Sequence, residues 1–293
     1  GQKLFMRGVE DLNLNVTVDG ARQGQNIFHH QGRLQVDPFL LKRVDVKPGP
    51  AAADAGPGAL GGSVVFETVD AQDLLKAGQT IGARLGGQYE SSSSLRGGVA
   101  SVYGKLNDNT GLLAYVRSNS NDRITAGGGE KVETTNGSHD NYLLKGTMLD
   151  INGHSLRLSS ERSEDNGGAL RANFPYASQA QLVQRRDDQR VTSESHKLRY
   201  GYKPAGQSLI DTQIDFYDST YALMTELNNP ASKRYSTNTI GGKVQNTSRL
   251  TTGVVKHALT YGIDYSESKN HAQEPTKANR SEHANNQGLF LQN

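Results

Sequence analysis

The chain has 293 residues, with 32 Lys and Arg against 30 Asp and Glu, a net charge of +2 at pH 7, and no cysteine. That balance gives no electrostatic pull on nucleic acid, and the absent thiols exclude disulfides and cysteine chemistry. No run of about 18 apolar residues exists, so the sequence holds no membrane-spanning helix.

The lack of Cys fits a compartment where free thiols are a liability, such as a bacterial envelope. Only 34% of the residues are hydrophobic. The chain opens at Gly1 and stops at Asn293 in mid-pattern, and reads as a fragment.

Residues 1 to 36 carry two strand-like pieces. Lys3 to Val9 runs into Arg7-Gly8. Asn13 to Val18 alternates and ends on Asp19-Gly20, a strong turn pair. Gln23 to Gly32 is a polar loop holding His29 and His30. Asp37-Pro38 starts an apolar turn, Phe39-Leu40-Leu41, and a strand follows at Val44-Asp45-Val46. A stretch of Gly, Pro and Ala comes next, at a density that precludes regular helix. A second strand is expected from Ser63 to Val69.

Within that stretch Gly56-Pro57-Gly58-Ala59-Leu60-Gly61 fits G-x-G-x-x-G. The dinucleotide fingerprint needs a strand before it and a helix opening on its last Gly. Here Val64-Val65 follows, and nothing helix-like is expected after it, so the nucleotide reading fails.

From Gly78 the texture changes to segments of about ten residues that alternate apolar and polar. In Gln79 to Tyr89, Ile81, Ala83, Leu85 and Tyr89 oppose Arg84 and Gln88. In Asp140 to Asp150, Tyr142, Leu144 and Met148 oppose Lys145 and Thr147. In Ser208 to Ala222, Ile210, Thr212, Ile214 and Phe216 oppose Asp211, Gln213 and Asp215. In His257 to Glu267, Leu259, Tyr261, Ile263 and Tyr265 oppose Thr260, Gly262 and Asp264. Weaker cases are Leu95 to Gly104, Gly111 to Ser118, His154 to Glu161, Val191 to Tyr202, Thr237 to Arg249 and Gln287 to Asn293. A period of two is a strand, not a helix.

The connections alternate in length. Leu106 to Asn109, Asn152-Gly153, Pro204-Ala205-Gly206 and Thr251-Thr252-Gly253 read as tight turns. Between them lie long polar loops, Asn119 to Ser138, Ser163 to Arg190, Leu223 to Ser236 and Ser268 to Ala284. Short turns at one end and long loops at the other are the build of a transmembrane antiparallel β-barrel, with a polar interior and a lipid-facing exterior. The chain is therefore mostly β. We expect a small mixed α/β domain at residues 1–76 and the N-terminal part of a barrel at residues 77–293. An open partial barrel has two unsatisfied edges and is not expected to fold alone.

The first 75 residues resemble the plug domain of TonB-dependent outer-membrane receptors. The resemblance rests on Arg7-Gly8, Val16 to Gly20, Leu41 to Val46, Gly49-Pro50-Ala51, Gly56, and Gly58 to Gly62, in order. Gly58 to Leu75 (GALGGSVVFETVDAQDLL) is similar to the haem and haemoglobin receptor branch. The chain departs from the family at Pro48-Gly49-Pro50 and at Asp54-Ala55-Gly56. The resemblance implies that about ten strands of a roughly 22-stranded barrel are present. It implies Gly49, Pro50, Gly56, Gly58, Gly61 and Gly62 as structural plug residues. It further implies a receptor of the bacterial outer membrane, in contact with its lipid, driven by the TonB–ExbB–ExbD complex, with haem or a haemoprotein as cargo and no permanent cofactor.

That branch places a haem-ligating histidine in a plug loop shortly before an Asp-Pro turn, and His30 lies seven residues before Asp37. Neutral imidazole is a good axial ligand for haem iron. His30 is thus the favoured ligand, with His29 beside it and Phe28, Arg33 and Tyr176 as cargo-facing candidates. Adjacent histidines also suit Zn²⁺ or Cu²⁺, so a ferric siderophore or divalent-metal cargo stays open, with a passive porin or adhesin behind it. His139, His271 and His283 read as solvated residues, His154 and His257 as lying at the short-turn end, and Arg185 to Asp188 as a solvated face. No nucleophile–base arrangement stands out, so no catalytic residue is assigned and no enzyme is expected.

Overall fold

The computed structural model describes residues 4–23, 34–49, 52–56, 59–132, 135–168, 188–225 and 232–293. It begins with a two-stranded hairpin, β1 (Phe5–Met6) and β2 (Val9–Glu10). The turn between them has φ of +51° at Arg7 and +81° at Gly8. Positive φ at both central residues matches the twist of the flanking strands. The same geometry, +48° at Asp19 and +82° at Gly20, joins β3 (Leu14–Val18) to β4 (Ala21–Arg22).

A 3₁₀ turn at Pro38–Leu40 leads into β5 (Leu41–Pro48), and β6 (Gly62–Thr68) follows the Gly-rich stretch. These strands make one four-stranded sheet in the order β4-β3-β6-β5, the inner sheet, in which β3 and β6 run parallel. Its core is Met6, Leu14, Val16, Val18, Leu34, Val64 and Phe66. Among its described residues the Gly-rich stretch holds only a 3₁₀ turn, Ala53–Ala55. One expectation is corrected after Val64-Val65: α1 (Ala71–Leu74) is a single helical turn. It forms because Asp70 and Asp73 cap it locally, with Asp70 N donating to Asp73 Oδ2 at 2.8 Å.

Ten strands then build one antiparallel sheet, the wall. They are β7 (Ile81–Glu90), β8 (Leu95–Lys105), β9 (Thr110–Asn121), β10 (Gly137–Ile151) and β11 (His154–Gly168), followed by β12 (Asp188–Tyr202), β13 (Thr212–Thr225), β14 (Lys233–Thr252), β15 (Val255–Gln273) and β16 (Arg280–Gln292). Spatial order equals chain order throughout. The two faces differ as the alternation requires. On β10, Tyr142 and Leu144 are exposed outside, while Leu143, Lys145 and Thr147 are buried inside against the inner sheet and its flanking turns. Ile81, Leu85, Phe216, Ile263 and Leu289 share the exposed outer face.

Three connections differ from expectation. Strands β13 to β16 run through most of Leu223 to Ser236 and Ser268 to Ala284, leaving only residues 226–232 and 274–279 between strands. The turn at Pro204-Ala205-Gly206 belongs to a longer connection, residues 203–211. The Asn152-Gly153 turn is as tight as expected, with φ of +53° and +82°.

Candidate functional site

The inner sheet is fixed to the wall through an apolar seam and a set of buried ion pairs. Leu40, Val69 and Ala71 pack on Val99, Leu113, Tyr115 and Leu143 of the wall. Beside this seam, three aspartates from turns of the inner domain meet wall cations.

Asp37 caps its own 3₁₀ turn by accepting from Phe39 N at 3.0 Å. Its carboxylate also accepts from Tyr115 Oη at 2.6 Å and Arg117 Nη1 at 2.9 Å, both on β9. Arg117 lies over the Phe39 ring, 5.2 Å from its centroid, a cation–π contact that holds the same turn. Asp37-Pro38 is therefore bolted to the wall as well as being a turn.

Asp70 accepts from Arg157 Nε of β11 at 3.0 Å, and Lys145 Nζ of β10 sits 2.8 Å from its other oxygen as an ion pair. Lys145 gives its hydrogen bonds to Thr68 O at 3.1 Å and Thr68 Oγ1 at 2.9 Å. The Lys145 and Asp70 side chains are 2% and 3% exposed, so each charge depends on the other for compensation. Asp19 completes the cluster. It accepts from Thr68 N at 2.9 Å and Thr68 Oγ1 at 2.6 Å, with Lys145 Nζ 3.9 Å away. Burial pushes the Asp19 carboxyl up, but Lys197, Lys145 and the two Thr68 hydrogen bonds outweigh it, and the group titrates below the ordinary aspartate value.

Next to Asp19, the Gly20 tip rests on a wall ion pair. Arg199 Nε donates to Asp215 Oδ1 at 2.6 Å. A Cβ on Gly20 would lie 2.7 Å from Arg199 and 2.9 Å from Asp215. Glycine is required there twice, for its backbone angle and for the contact. On α1, Gln72 accepts from Thr147 Oγ1 of β10 at 2.9 Å.

At the long-connection end of the wall a second set meets residues 34–37. Gln35 Nε2 donates to Asp165 Oδ2 of β11 at 3.0 Å, and Ser163 Oγ donates to Gln35 Oε1. The other Asp165 oxygen pairs with His139 Nδ1 of β10. This corrects the solvated reading of His139, which faces the interior with its side chain 30% exposed. His271 and His283 are exposed as expected, His283 pairing with Glu267 at 2.9 Å. His154 stacks on Tyr202, with centroids 4.4 Å apart, beside the Asn152-Gly153 turn.

Of the residues singled out in the sequence, His29, His30, Phe28, Arg33, Tyr176, Pro50 and Gly58 lie outside the described residues. Gly49, Gly56 and Gly62 have positive φ. Gly62 also lies where a Cβ would collide with the Lys47 carbonyl, and Gly61 where one would come 2.6 Å from Val9. Among the described residues no group of three His, Cys, Asp or Glu could hold a metal ion. The sequence reading missed Asp70, Lys145 and Arg157 as a cluster. The available signal was a lysine on the inward side of an alternating strand, where an unpaired charge is costly.

Residues 1–63 match the TonB-dependent receptor plug domain family. The chain is 32% identical over 273 residues to the heme transporter BhuA of Brucella abortus (strain 2308), which covers 90% of this chain and 39% of that protein. It is 32% identical over 266 residues to the hemin receptor of Yersinia enterocolitica, covering 90% and 38%. The chain thus spans about two fifths of the length of these curated relatives. In structure it is similar to the FrpB iron transporter from Neisseria meningitidis (F3-3 variant), with a TM-score of 0.80, 27% identity, and coverage of 92% of this chain and 43% of that one.

Proposed function

We propose that this member of the TonB-dependent receptor family is the plug and first wall strands of an outer-membrane importer of haem. In this reading the inner sheet is the plug, residues 1–76, and residues 77–293 begin the barrel. The exposed rows carrying Ile81, Leu85, Ile263 and Leu289 meet outer-membrane lipid. The observation that carries the reading is the footing of the histidine loop. Residues 34–37, four to seven positions after His30, are tied to β9 and β11 through Asp37 and Gln35. A ligand loop must be held by fixed neighbours if its imidazole is to meet cargo in one geometry. The relatives named heme transporter and hemin receptor support the same cargo.

His30 is the axial ligand in this proposal, with His29 as its neighbour and Phe28, Arg33 and Tyr176 facing cargo. Cargo binding shifts the plug, and the TonB–ExbB–ExbD complex draws on the inner-membrane proton gradient to complete import. The protein carries haem and transforms nothing. Likeness to a protein titled an iron transporter favours a second reading, in which the cargo is iron in another form, such as a ferric siderophore.

The test is a haem titration of the full-length receptor by optical spectroscopy, beside His29→Ala and His30→Ala. A ligated-haem spectrum that is lost in His30→Ala supports the assignment. No spectral change in the unaltered receptor overturns the haem reading and turns the search to ferric chelates.

A further inference from the structure

The inner face of the wall carries more cationic charge than it neutralises by itself. By strand register the inward residues of β9 to β13 include five cations, Arg117, Lys145, Arg157, Lys197 and Arg199, against three carboxylates, Glu161, Asp165 and Asp215. Two of the cations are paired within the wall, Lys197 with Glu161 at 3.2 Å and Arg199 with Asp215 at 2.6 Å. The other three are not. Among the described residues Arg117 is ion-paired with Asp37 alone, Arg157 with Asp70 alone, and Lys145 with Asp70 and Asp19. Each of those aspartates belongs to the inner domain and leaves with it when it moves. Seating alone is a poor reason to keep three such charges, because a buried ion pair commonly holds a structure no better than well-packed apolar side chains of similar volume. Their arrangement also has a direction. Arg117 lies level with Asn141 of β10, Lys145 stands four residues further along that strand, and Arg157 lies level with Thr147. At about 3.4 Å per residue the three charges descend about 20 Å, from the long-connection end toward the short-turn end.

We propose that Arg117, Lys145 and Arg157 form a second binding track, for the carboxylates of the cargo itself, and that Asp37 and Asp70 hold it shut by occupying it; this rests on the haem reading above, since haem carries two carboxylates on its propionate arms. Movement of the plug withdraws the aspartates and uncovers donors already arranged around carboxylate. Asp70 has Arg157 Nε at 3.0 Å and Lys145 Nζ at 2.8 Å, and Asp37 has Arg117 Nη1 at 2.9 Å. A propionate offers the same pair of acceptor oxygens, and each contact it makes there is a charge-assisted hydrogen bond. No covalent bond forms or breaks. Return of the plug ends the stage, because aspartates tethered to the same chain outcompete a free carboxylate through their high effective concentration. The three charges thus admit an anion as the plug leaves and release it as the plug reseats. A cargo without carboxylates gains nothing from them.

The test compares energised uptake of haem with that of its dimethyl ester, in which both carboxylates are masked, by cells carrying the full-length receptor. Lys145→Met/Asp70→Asn removes one rung together with the aspartate that covers it, so the plug stays seated, as hydrogen exchange over Gly62–Thr68 verifies. Haem uptake should fall about 10-fold, the effect of losing one hydrogen bond to a charged group. Uptake of the ester, and the affinity of the receptor surface for haem, should not change. Arg157→Gln leaves Lys145 on Asp70 and needs no compensating change. It should act in the same direction, and it keeps the test decisive if the double variant fails to assemble. Equal slowing of haem and ester in these variants marks a purely structural role and overturns the proposal. Unaltered haem uptake in both variants overturns it as well. If the unaltered receptor gives no optical change with haem, the haem reading falls and takes this inference with it.

Discussion

Lys145→Met tests whether buried charge seats the plug. The substitution keeps the length and apolar stem of the side chain and removes the ammonium from beside Asp70, 2.8 Å away, and Thr68. Removing one partner of a buried pair costs about 3–5 kcal/mol, because the other charge is stranded. Arg157 remains on Asp70 at 3.0 Å, which places the expected loss at the low end. About 3 kcal/mol is roughly a 100-fold rise in the population of the unseated plug. Hydrogen exchange of the full-length receptor reads this directly as lost protection across Gly62–Thr68, while β10 and β11 stay protected. Lys145→Met combined with Asp70→Asn should recover much of the loss, because Asp70, the carboxylate nearest the lost ammonium, then carries no stranded charge. Unchanged protection in the single variant, or a double variant whose loss is the sum of the two singles, refutes the reasoning.

Other substitutions probe the remaining contacts. Gly20→Val forces a side chain against Arg199 and Asp215, and should raise exchange at Ala21–Arg22 and weaken plug seating on a urea series. Tyr115→Phe removes a hydrogen bond to a fully buried carboxylate, a loss of about 1.5–3 kcal/mol. It should loosen residues 34–40, read by their amide exchange. Seating should also depend on acidity with a definite sign. Asp19 titrates below its ordinary value of 3.8, so its contribution is complete above that value and is lost as pH falls through the depressed one. Plug protection should therefore be flat from neutral pH to well below it and fall only in strong acid. Asp19→Asn should remove that drop. A drop near the histidine range instead would assign the effect to other groups.

The wall was legible wherever its outer face is apolar. Tyr142 and Leu144 against Lys145 and Thr147 give a period of two that only a strand explains. The same rule explains the overlong loops. Toward the long-connection end the outer rows turn polar, as at Asp218 and Thr220 on β13 and Glu267, Lys269 and His271 on β15. On β15, where Ser266, Ser268 and Asn270 face inward, both faces are then polar and the alternation vanishes, although the backbone hydrogen bonds continue. The turns were read correctly where Asp-Gly or Asn-Gly supplied positive φ. The single helical turn α1 is too short to show a period at all.

The ion-pair cluster was not legible for a different reason. Asp70 lies 75 residues before Lys145 and 87 before Arg157, and pairing across such distances is set by how the strands fall side by side. Composition cannot report it, since a net charge of +2 does not show that Asp19, Asp37 and Asp70 face Arg117, Lys145 and Arg157. Each half of the cluster, taken alone, looks like ordinary surface.

The match between spatial and chain order in the wall has a consequence for biogenesis. Every strand pairs with its sequence neighbour, so the wall can grow one hairpin at a time as each emerges. The plug comes first but cannot dock at once. Its Asp37 seat arrives with the third wall strand, Lys145 with the fourth, Arg157 with the fifth and Lys197, whose charge acts on Asp19, with the sixth. Until β12 is in place the acidic turns have no complete counterpart. The order of strands thus acts as a timer: the lumen is stoppered only after enough of the cylinder exists to hold the stopper.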